Sequence, residues 1–465
     1  MVQETALTSA HADWGSTSVE KRPTCPTCGT PLQARGKQKR ALQGRGGASI
    51  HLTRSSGTCP TCGTGFFPLD EPLAISQGVS LTPKPEEHLA HVAAWMPFAR
   101  AANRVETLVG VQVSEAPIRR LTEGAGSLAQ AVQDQVAEPD SVPSSAAKSE
   151  SEPVVLSADG AVVPLVGGIW AQARTRAIGI TSGLGEQRST TDLSSCSRWT
   201  DAATFTSPCT GEMQRRHVFQ SQRVAGVMDG AEWLQSLLDI QVPGAVGMRD
   251  FPHAAQRVSA IVEAVQQAGL LVPTDALERS VHLLNHCGPR PILRGLRHLV
   301  HRLPAGHSAH EELASLTKRE AQMQYPRSQA QGWPIGSGSV ERANKRVVQA
   351  RLKGSGMHGA PAPVNPMLAL RSGVWSDRWE ATGRDLTDQR AKQQRQLRQQ
   401  RASHLLQLAT EAFLQHWARL FLFVSRTPAA PVARPCLQEP LKMVAGRPTA
   451  HHPWKRGRAC LPAKH

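Results

Sequence analysis

Hydrophobic positions recur along the chain with two spacings, one typical of helices and the other of strands. In the segment 86–136, apolar side chains such as Leu89 and Val92 lie at helical intervals. The stretch 153–165, PVVLSADGAVVPL, is instead an apolar, β-branched run interrupted by an Asp, and the stretch 167–180, GGIWAQARTRAIGI, follows it. Runs of this kind are typical of neighbouring β-strands. The pattern therefore predicts a protein of mixed α/β class.

The remaining pattern divides the chain into further segments. Residues 211–240 alternate helical and strand-like patterns, and 253–330 is mostly helical. A long helix is predicted over 384–424, basic at first and then rich in Leu, Phe and Trp. The polar segment 137–152 is rich in Pro and Ser and is typical of a linker between domains. The Pro-rich, basic tail from 425 is predicted to be poorly ordered.

The helical segment 86–136 contains a sharp turn. Gly110 can end one helix, and Ser114 can cap the next helix, which carries Arg119 and Arg120. A helix, a short Gly turn and a capped basic helix are typical of a DNA-binding helix-turn-helix. An ordinary helical hairpin has the same pattern, so both interpretations stay open.

The hexapeptide CPTCGT occurs twice, at 25–30 and at 59–64, and predicts a zinc site. Each CxxCG knuckle directs two thiolates to one point, and two knuckles provide the four sulfur ligands that Zn²⁺ prefers. A redox dithiol is the alternative, which duplication of the knuckle disfavours. We interpret residues 1–75 as a structural zinc ribbon with a basic DNA-contacting or protein-docking loop. Its zinc ligands are Cys25, Cys28, Cys59 and Cys62, and its loop carries Arg35, Lys37, Lys39 and Arg40.

Composition narrows the class of partner. The chain has 53 Lys and Arg against 37 Asp and Glu, a formal net charge of +16. Such an excess favours nucleic acid as the partner over a protein that charge merely keeps dispersed. There is no run of about 18 apolar residues and no secretion signal, so we expect no membrane span and a cytoplasmic location. Nine cysteines, an odd number and partly scattered, argue against a disulfide framework.

Three acids stand out by their context. Asp159 interrupts the first strand, where a carboxylate is costly unless a cation compensates it. Asp229 ends a second apolar run, VAGVMDG, and Glu341 follows a Gly/Ser turn in which Ser339 can cap a helix. Each acid alone could be an ordinary turn or cap residue. Together they predict a cluster of oxygen ligands at one edge of a sheet, suited to catalytic Mg²⁺ or Mn²⁺.

A basic helix is predicted directly after Glu341. No acid occurs between 342 and 353, and several bases share a helical face. They could bind DNA phosphates beside the metal ions without sequence preference, although a solvated basic face is the plain alternative. The predicted phosphate-binding residues are Arg342, Lys345, Arg346, Arg351 and Lys353.

Several longer motifs together resemble a family. They are VVLSADGAVV, VMDGAEWL, RDFPHAAQRV, WPIGSGSVERANKRVVQARLKGSGM, NPMLALRSGVWSDRW and GRPTAHHPWKRG. The chain resembles the DDE-type transposases of bacterial insertion sequences, in particular the Kra-type branch related to Mutator-like elements. The resemblance covers nearly the whole chain, and the motif around Glu341 is its most specific part.

The resemblance implies a fold and an activity. It implies an RNase H-like catalytic core over 153–380 with an all-helical insert at about 253–330, preceded by the zinc ribbon and the helix-turn-helix-like region. A long basic and amphipathic helix at 381–424 and the tail at 425–465 complete the chain. The implied reaction is metal-dependent cleavage of insertion-sequence ends and strand transfer into target DNA. The partners are then terminal repeats, target DNA and a second copy of the chain, bound at the bacterial nucleoid.

The resemblance also implies site residues, with one ambiguity. Asp159, Asp229 and Glu341 match the first, second and third acids. Asp250 and His253 resemble a pair that follows the second acid in Mutator-like relatives, so His253 is an accessory group and Asp250 is its partner or the true second ligand. A capping role is the alternative for His253.

The chain also departs from the family pattern. His358 stands where an aromatic residue is expected after GSGM, and both the stretch 205–213 and Arg249 look irregular. These departures leave two alternatives to an active transposase. One is a decayed copy that only binds DNA, and the other is an RNase H-like, structure-specific nuclease.

Overall fold

The fold was analysed in a computed structural model that describes residues 14–71, 73–76, 78–136, 152–183 and 189–424, with two short strands beyond them. The chain forms two compact units, Met1–Gln400 and Arg401–His465. Most of the predicted linker lies outside the described residues. In the second unit, Met443–Val444 pairs antiparallel with Arg447–Pro448, and the rest of the predicted tail is outside the description.

The N-terminal part of the first unit is a long β-hairpin. Its three-stranded antiparallel sheet consists of β1 (Gln33–Gln43), β2 (Ser49–Thr58) and β3 (Gly65–Phe66). The prediction of a basic loop at 35–40 was wrong, because this segment forms β1. Pairing with β2, which is irregular between Ala34 and Gly36 and continuous from Gly36 on, satisfies the backbone of this polar segment. The side-chain pattern alone did not indicate this pairing.

Three helices follow the hairpin: α1 (Pro83–Trp95), α2 (Phe98–Val109) and α3 (Glu115–Val136). Gly110 ends α2 with a φ of 72°, and its N–H bonds to the carbonyl of Glu106. Val111 is completely buried in the turn before α3. The predicted break at Gly110 is therefore confirmed, since a left-handed residue with no Cβ closes the helix there.

The centre of the first unit is a five-stranded mixed sheet in the order β6-β5-β4-β7-β8. Strand β4 lies in the middle, antiparallel to β5 and parallel to β7. Strands β5 and β6 are antiparallel, and β7 and β8 are parallel. The strands are β4 (Val154–Pro164), β5 (Trp170–Ser182), β6 (Ser189–Trp199), β7 (Val224–Met228) and β8 (Val246–Arg249).

Two helices connect the later strands, α4 (Ala202–Arg215) and α5 (Glu232–Gln241). The stretch 205–213, irregular as a motif, lies within α4 in spite of Pro208. Asp201 caps this helix by accepting a hydrogen bond from the Thr204 N–H. The mixed α/β class predicted from the spacing of apolar positions is confirmed.

A bundle of helices follows β8, with a core of its own. Its helices are α6 (Phe251–Gln267), α7 (Ala276–Cys287), α8 (Pro289–Val300), α9 (Ser308–Lys318) and α10 (Tyr325–Ala330). Apolar residues of α6 and α8, including Val258, Ile261 and Leu296, are buried together. The helical content predicted for 253–330 is therefore confirmed.

The last helices of the first unit return to the sheet. They are α11 (Gly338–Ala343), a π-helical turn (Asn344–Gln349), α12 (Ala350–Leu352), α13 (Val364–Trp375) and the start of α14 (Trp379–Val424). Ser337 precedes α11, so the prediction that Ser339 caps this helix was wrong by two residues. Within the described residues, no helix combines the length and the apolar character needed to cross a bilayer.

Helices α3 and α13 cross at very short distance, and a glycine permits it. A Cβ at Gly126 would lie 2.5 Å from the carbonyl oxygen of Pro366, whereas a Cβ at the exposed Gly124 would meet no atom within 4 Å. The two glycines thus share a helix but differ in what surrounds them.

This difference predicts opposite effects of one substitution. Gly124→Ala should raise the free energy of unfolding by up to about 1 kcal/mol, because Ala favours the helix. Gly126→Ala should lower it by about 1–3 kcal/mol, because the close backbone must move apart. Denaturant unfolding of both variants beside the parent chain measures the two values. Equal stabilisation by both would show that the crossing is looser than described.

Candidate functional site

The four cysteines of the repeated hexapeptide come together and could bind a zinc ion. Their sulfur atoms all lie within 4.8 Å of one another. The Cys25 and Cys62 sulfurs are 3.7 Å apart, and those of Cys28 and Cys59 are 3.4 Å apart. Four sulfurs around a tetrahedral Zn²⁺ are separated by about 3.8 Å, since each Zn–S bond is about 2.3 Å. The donor set and its spacing fit zinc.

The electrostatics of the cluster favour thiolates at two of the four positions. Hydrogen bonds from the hydroxyl and backbone of Thr30 lower the pKa of Cys28 to about 6. Burial raises the pKa of Cys59 to about 11. Burial also acts to raise the pKa of Cys62, but bonds to Thr64 outweigh it and lower the pKa. Thr30 and Thr64 occupy the same position in the two hexapeptides, so the repeat supplies the same support twice.

Two of the predicted acids lie beside each other on the large sheet. Strand β4 pairs with β7 in parallel, with Ala158 opposite Met228. Asp159 and Asp229 directly follow these paired residues, so both stand at the same level of neighbouring strands. Burial raises the pKa of Asp159, and the charge of Asp229 raises it further. The Gly160 N–H, Asn344 and His253 oppose this shift by favouring the carboxylate.

Asn344 is a site residue that sequence reasoning missed. Its Nδ2 donates to Oδ2 of Asp159 over 2.9 Å, and its side chain is buried. Its Oδ1 is buried too and has no hydrogen-bond partner among the described residues. The sequence contains a signal for this role, because Asn344 lies at helical spacing among the buried apolar residues Val340, Ala343 and Val347. A polar residue at such a position needs a partner inside the protein.

Glu341 lies one helical turn before Asn344, in the first turn of α11, and is exposed to solvent. Helix α11 packs on β4 and β5, so the bond from Asn344 to Asp159 ties the helix that carries Glu341 to the strand that carries the first acid. Among the described residues, only the four cysteines bring three or more ligand atoms within 4.8 Å. The oxygens of the three acids therefore do not form a tight cage in this structure.

Asp250 is completely buried and has a structural task. Its Oδ1 accepts a hydrogen bond from the Ser337 N–H over 2.5 Å, and its Oδ2 accepts from the His253 N–H over 2.9 Å. Asp250 thereby caps α6 and joins this helix to the loop before α11. Asp229 accepts one bond, from the Ala231 N–H, and is only half-buried. This contrast favours Asp229 over Asp250 as the second acid.

His253 is oriented by the same carboxylate. Its Nδ1 lies 2.6 Å from Oδ2 of Asp250, and 37% of its side chain is exposed. This contact orients the imidazole through Nδ1 and leaves Nε2 outside the contact with Asp250. Because His253 also lowers the pKa of Asp159, the imidazole belongs to the same cluster. The capping role considered for His253 is taken by Asp250.

The predicted phosphate-binding residues separate into exposed and buried ones. Arg342, Lys345, Arg346 and Lys353 are exposed along the helix. Arg351 is buried, and its guanidinium lies 4.6 Å from the ring centroid of Phe98. A role for Arg351 in direct phosphate binding is therefore wrong for this conformation, since the aromatic ring covers it.

The basic helix also departs from regular α-helical geometry. Residues 344–349 form a π-helical turn, which disrupts the regular helical face that the bases after Glu341 were predicted to share. Buried Arg371 contacts the turn, because its guanidinium donates to the carbonyls of Arg346 and Val347. The Val347 bond measures 2.6 Å. Carbonyls released from the helical ladder thus receive a side-chain donor.

The two bases predicted for helix-turn-helix contacts are both exposed on α3. Arg119 pairs with Glu115 over 2.9 Å and lies 5.6 Å from the ring centroid of Phe98. Arg120 faces solvent. The opposite side of α3, including Ala125 and Leu128, is buried against α13. One face of α3 is thus available to a partner, and the other belongs to the core.

Neither the protein-family models nor the curated proteins that were compared with this chain match it. The site therefore has to be interpreted from its own geometry. That geometry comprises a four-cysteine cluster on the hairpin and a group of carboxylates with one imidazole at the large sheet. The two lie on different elements of the first unit and call for separate tests.

The cysteine cluster predicts one bound zinc ion per chain. Purified protein should release one equivalent of Zn²⁺ on treatment with a thiol-modifying reagent, detected with a chromogenic chelator. Cys59→Ser should abolish this, because removing one of four ligands opens the site. Cys287→Ser, which changes an exposed thiol outside the cluster, is the control and should retain the metal. Retention of full zinc by Cys59→Ser would rule out four-sulfur coordination.

The raised pKa of Asp159 predicts that its ionised carboxylate costs stability. A carboxyl group whose pKa is higher in the folded chain than in the unfolded chain stabilises the folded chain at low pH. This contribution is lost as the pH rises through the pKa of the folded chain. Without divalent metal near neutral pH, Asp159→Asn should therefore raise the melting temperature by roughly 1–3 °C. The exposed Asp388→Asn is the charge-matched control and should leave it unchanged. A lower melting temperature for Asp159→Asn would mean that the carboxylate stabilises the fold.

Proposed function

We propose that this chain is a DDE-type DNA transposase that cleaves insertion-sequence ends and joins them to target DNA with Mg²⁺ or Mn²⁺. One observation carries the proposal. Asp159 and Asp229 stand at the same level of neighbouring parallel strands, and Asn344 ties the helix bearing Glu341 to Asp159. Oxygen ligands on two strands and one helix suit a hard divalent cation.

The topology supports an RNase H-like assignment for the core. Three antiparallel strands are followed by two parallel ones, and the first strand, β4, lies in the centre of the order β6-β5-β4-β7-β8. The helical bundle α6–α10 stands between β8 and α11, where an insert in such a core would be placed. We therefore propose that residues 153–380 form an RNase H-like domain with a helical insert.

In this proposal each side chain has a defined task. Asp159, Asp229 and Glu341 would hold the divalent ions, which activate the attacking hydroxyl and stabilise the leaving oxygen. His253, held through Nδ1 by Asp250, presents Nε2 to exchange a proton or to bind a phosphate oxygen beside Asp159. The exposed Arg342, Lys345 and Arg346 follow Glu341 on the same helix and can bind neighbouring phosphates.

The other parts of the chain support a DNA partner. We propose that the cysteine hairpin is a zinc ribbon, because its two CxxC knuckles bring four sulfur atoms together next to a three-stranded antiparallel sheet. We also propose that α2 and α3 act as a helix-turn-helix whose exposed face carries Arg120. A net charge of +16 favours a polyanion as the common ligand of these parts.

We further propose that the second half of α14 contacts another copy of the chain. Large apolar side chains are exposed there, among them Leu405, Leu408, Phe413 and Trp417. Exposed apolar residues along one helix are typical of a surface that associates. Joining two DNA ends requires at least two catalytic chains, so a dimer agrees with the proposed reaction.

A second candidate function has one observation in its favour. The three acids do not bring their oxygens within 4.8 Å of one another among the described residues. A chain whose carboxylates cannot close around metal ions would bind DNA without cleaving it. This candidate is a transposase copy that acts only as a DNA-binding protein.

Cleavage of the DNA that borders the gene distinguishes the two candidates. The full chain, incubated with a duplex carrying the terminal inverted repeat, should nick it only when Mg²⁺ or Mn²⁺ is added. Asp159→Asn, Asp229→Asn and Glu341→Gln should each reduce the rate about 100-fold or more while DNA binding is retained. Asp250→Asn should act differently and lower the melting temperature, because its oxygens support two backbone N–H groups.

Asp388→Asn serves as the matched control and should cleave like the parent chain. Binding without any metal-dependent nicking by the parent chain would favour the DNA-binding candidate. Undiminished nicking by both Asp159→Asn and Glu341→Gln would contradict the assignment of the acids.

A further inference from the structure

Helix α8 in the helical bundle has two contrasting faces. One face, with Ile292, Leu293, Leu296 and Val300, is buried in the core of the bundle. This burial fixes the orientation of the helix about its axis, so the opposite face must point outward. The outward residues of α8 are all exposed, and most of them are basic.

The exposed basic residues form one open groove of about 900 Å³. We call it the α8 groove, and it is lined by Arg290, Pro291, Arg294, Arg297, His298, His301 and Glu320. Arg290, Arg294, Arg297 and His301 follow one another at three- or four-residue steps and thus lie along one stripe. The stripe is about 16 Å long at 1.5 Å per residue.

The charge of the groove is poorly compensated. Glu320 is the one acid among the described residues that line it, and it lies 3.8 Å from both Arg290 and Arg297. The three arginines and the one carboxylate give the groove a net charge of +2, and two imidazoles lie beside them. Arg294 makes no ion pair with any described residue. The sequence shows the same bias, because the 32 residues from 279 to 310 contain no Asp or Glu.

The lining of the groove favours nucleic acid over a protein as its ligand. Protein interfaces are centred on buried apolar or aromatic side chains. Pro291 is the one apolar residue exposed on the groove side of α8 besides Gly295, so such a centre is missing there. A row of guanidinium groups suits phosphates, which they bind with paired N–H donors. A stripe of about 16 Å spans about five base pairs of duplex DNA.

We propose that the α8 groove is a second DNA-binding surface, which holds the phosphate backbone of a duplex on an element other than those that carry Asp159 and Asp229. It rests on the proposed function only in taking DNA as the ligand. The groove is built from the bundle core and not from the sheet that carries Asp159. It is therefore a binding surface additional to the carboxylate cluster, and it holds phosphates without preference for base sequence.

The salt dependence of binding tests this surface in the full chain. The triple variant Arg290→Gln, Arg294→Gln, Arg297→Gln should show a slope of log K against log salt that is smaller by roughly 2–3. Between about 50 and 200 mM salt, the parent chain should therefore lose roughly 16- to 60-fold more affinity than the variant. Fluorescence anisotropy with a labelled duplex of about 30 base pairs measures both slopes.

Two control variants separate local contacts from overall charge. The triple variant with Lys at the same three positions keeps the charge and should keep the slope near that of the parent chain. The double variant Arg327→Gln, Arg384→Gln removes exposed charges elsewhere and should change the slope little. If the double variant shows the same decrease in slope per removed charge as the triple Gln variant, the proposal is overturned, because binding would then depend on net charge alone.

A measurement on the unaltered chain covers the case in which the triple variant does not fold. Diethyl pyrocarbonate modifies exposed imidazoles, and duplex DNA should protect His298 and His301 from it at low salt. The exposed His217, on the sheet side of the chain, should not be protected. Protection of neither groove histidine, or protection by an acidic protein but not by DNA, would overturn the proposal.

These outcomes are distinct from those of the cleavage assay. A parent chain that fails to nick DNA but shows groove-dependent binding would contradict the transposase proposal and leave the groove assignment standing. If the parent chain nicks DNA normally and the triple Gln variant binds with an unchanged slope, the transposase proposal stands and the groove assignment is contradicted.

Discussion

The arrangement of the first unit depends on one constraint, an acidic side chain placed within the central strand of a largely buried sheet. Asp159 cannot move without breaking β4, so its surroundings must support its charge. The Gly160 N–H and the Asn344 amide provide that support through hydrogen bonds. Since Asn344 directly follows the helix that carries Glu341, the bond that supports the carboxylate also ties that helix to β4.

A second buried carboxylate couples the helical bundle to this site. Asp250 caps the first helix of the bundle and accepts a hydrogen bond from Ser337 in the loop before α11. The same carboxylate orients the imidazole of His253, which acts to lower the pKa of Asp159. The bundle is thus not a separate appendage, because its first residues fix both the loop and the histidine. A DNA duplex held on the bundle would in consequence have a defined position relative to the acids.

The arginines of this chain divide into structural and surface groups, which composition does not distinguish. Arg371 is buried and donates to carbonyls of the π-helical turn, and burial lowers its pKa to about 9, still well above neutrality. Arg351 is buried against Phe98 in the same region. By contrast, Arg294 and Arg342 are exposed. The charge available to a polyanion is therefore concentrated on particular surfaces and is smaller than the number of bases implies.

The sequence by itself determined what depends on near neighbours in the chain. Spacing of apolar residues predicted the helices and strands, Gly110 predicted a helix end, and the repeated hexapeptide predicted the sulfur cluster, because each signal is local. Tertiary structure decided what depends on distant partners. Pairing with β2 turned the basic segment 35–40 into a strand, and burial removed Arg351 from the surface. Contacts across more than 80 residues of chain joined Asp250 to Ser337 and Asn344 to Asp159, since burial and hydrogen bonding between separate elements are set only when those elements pack.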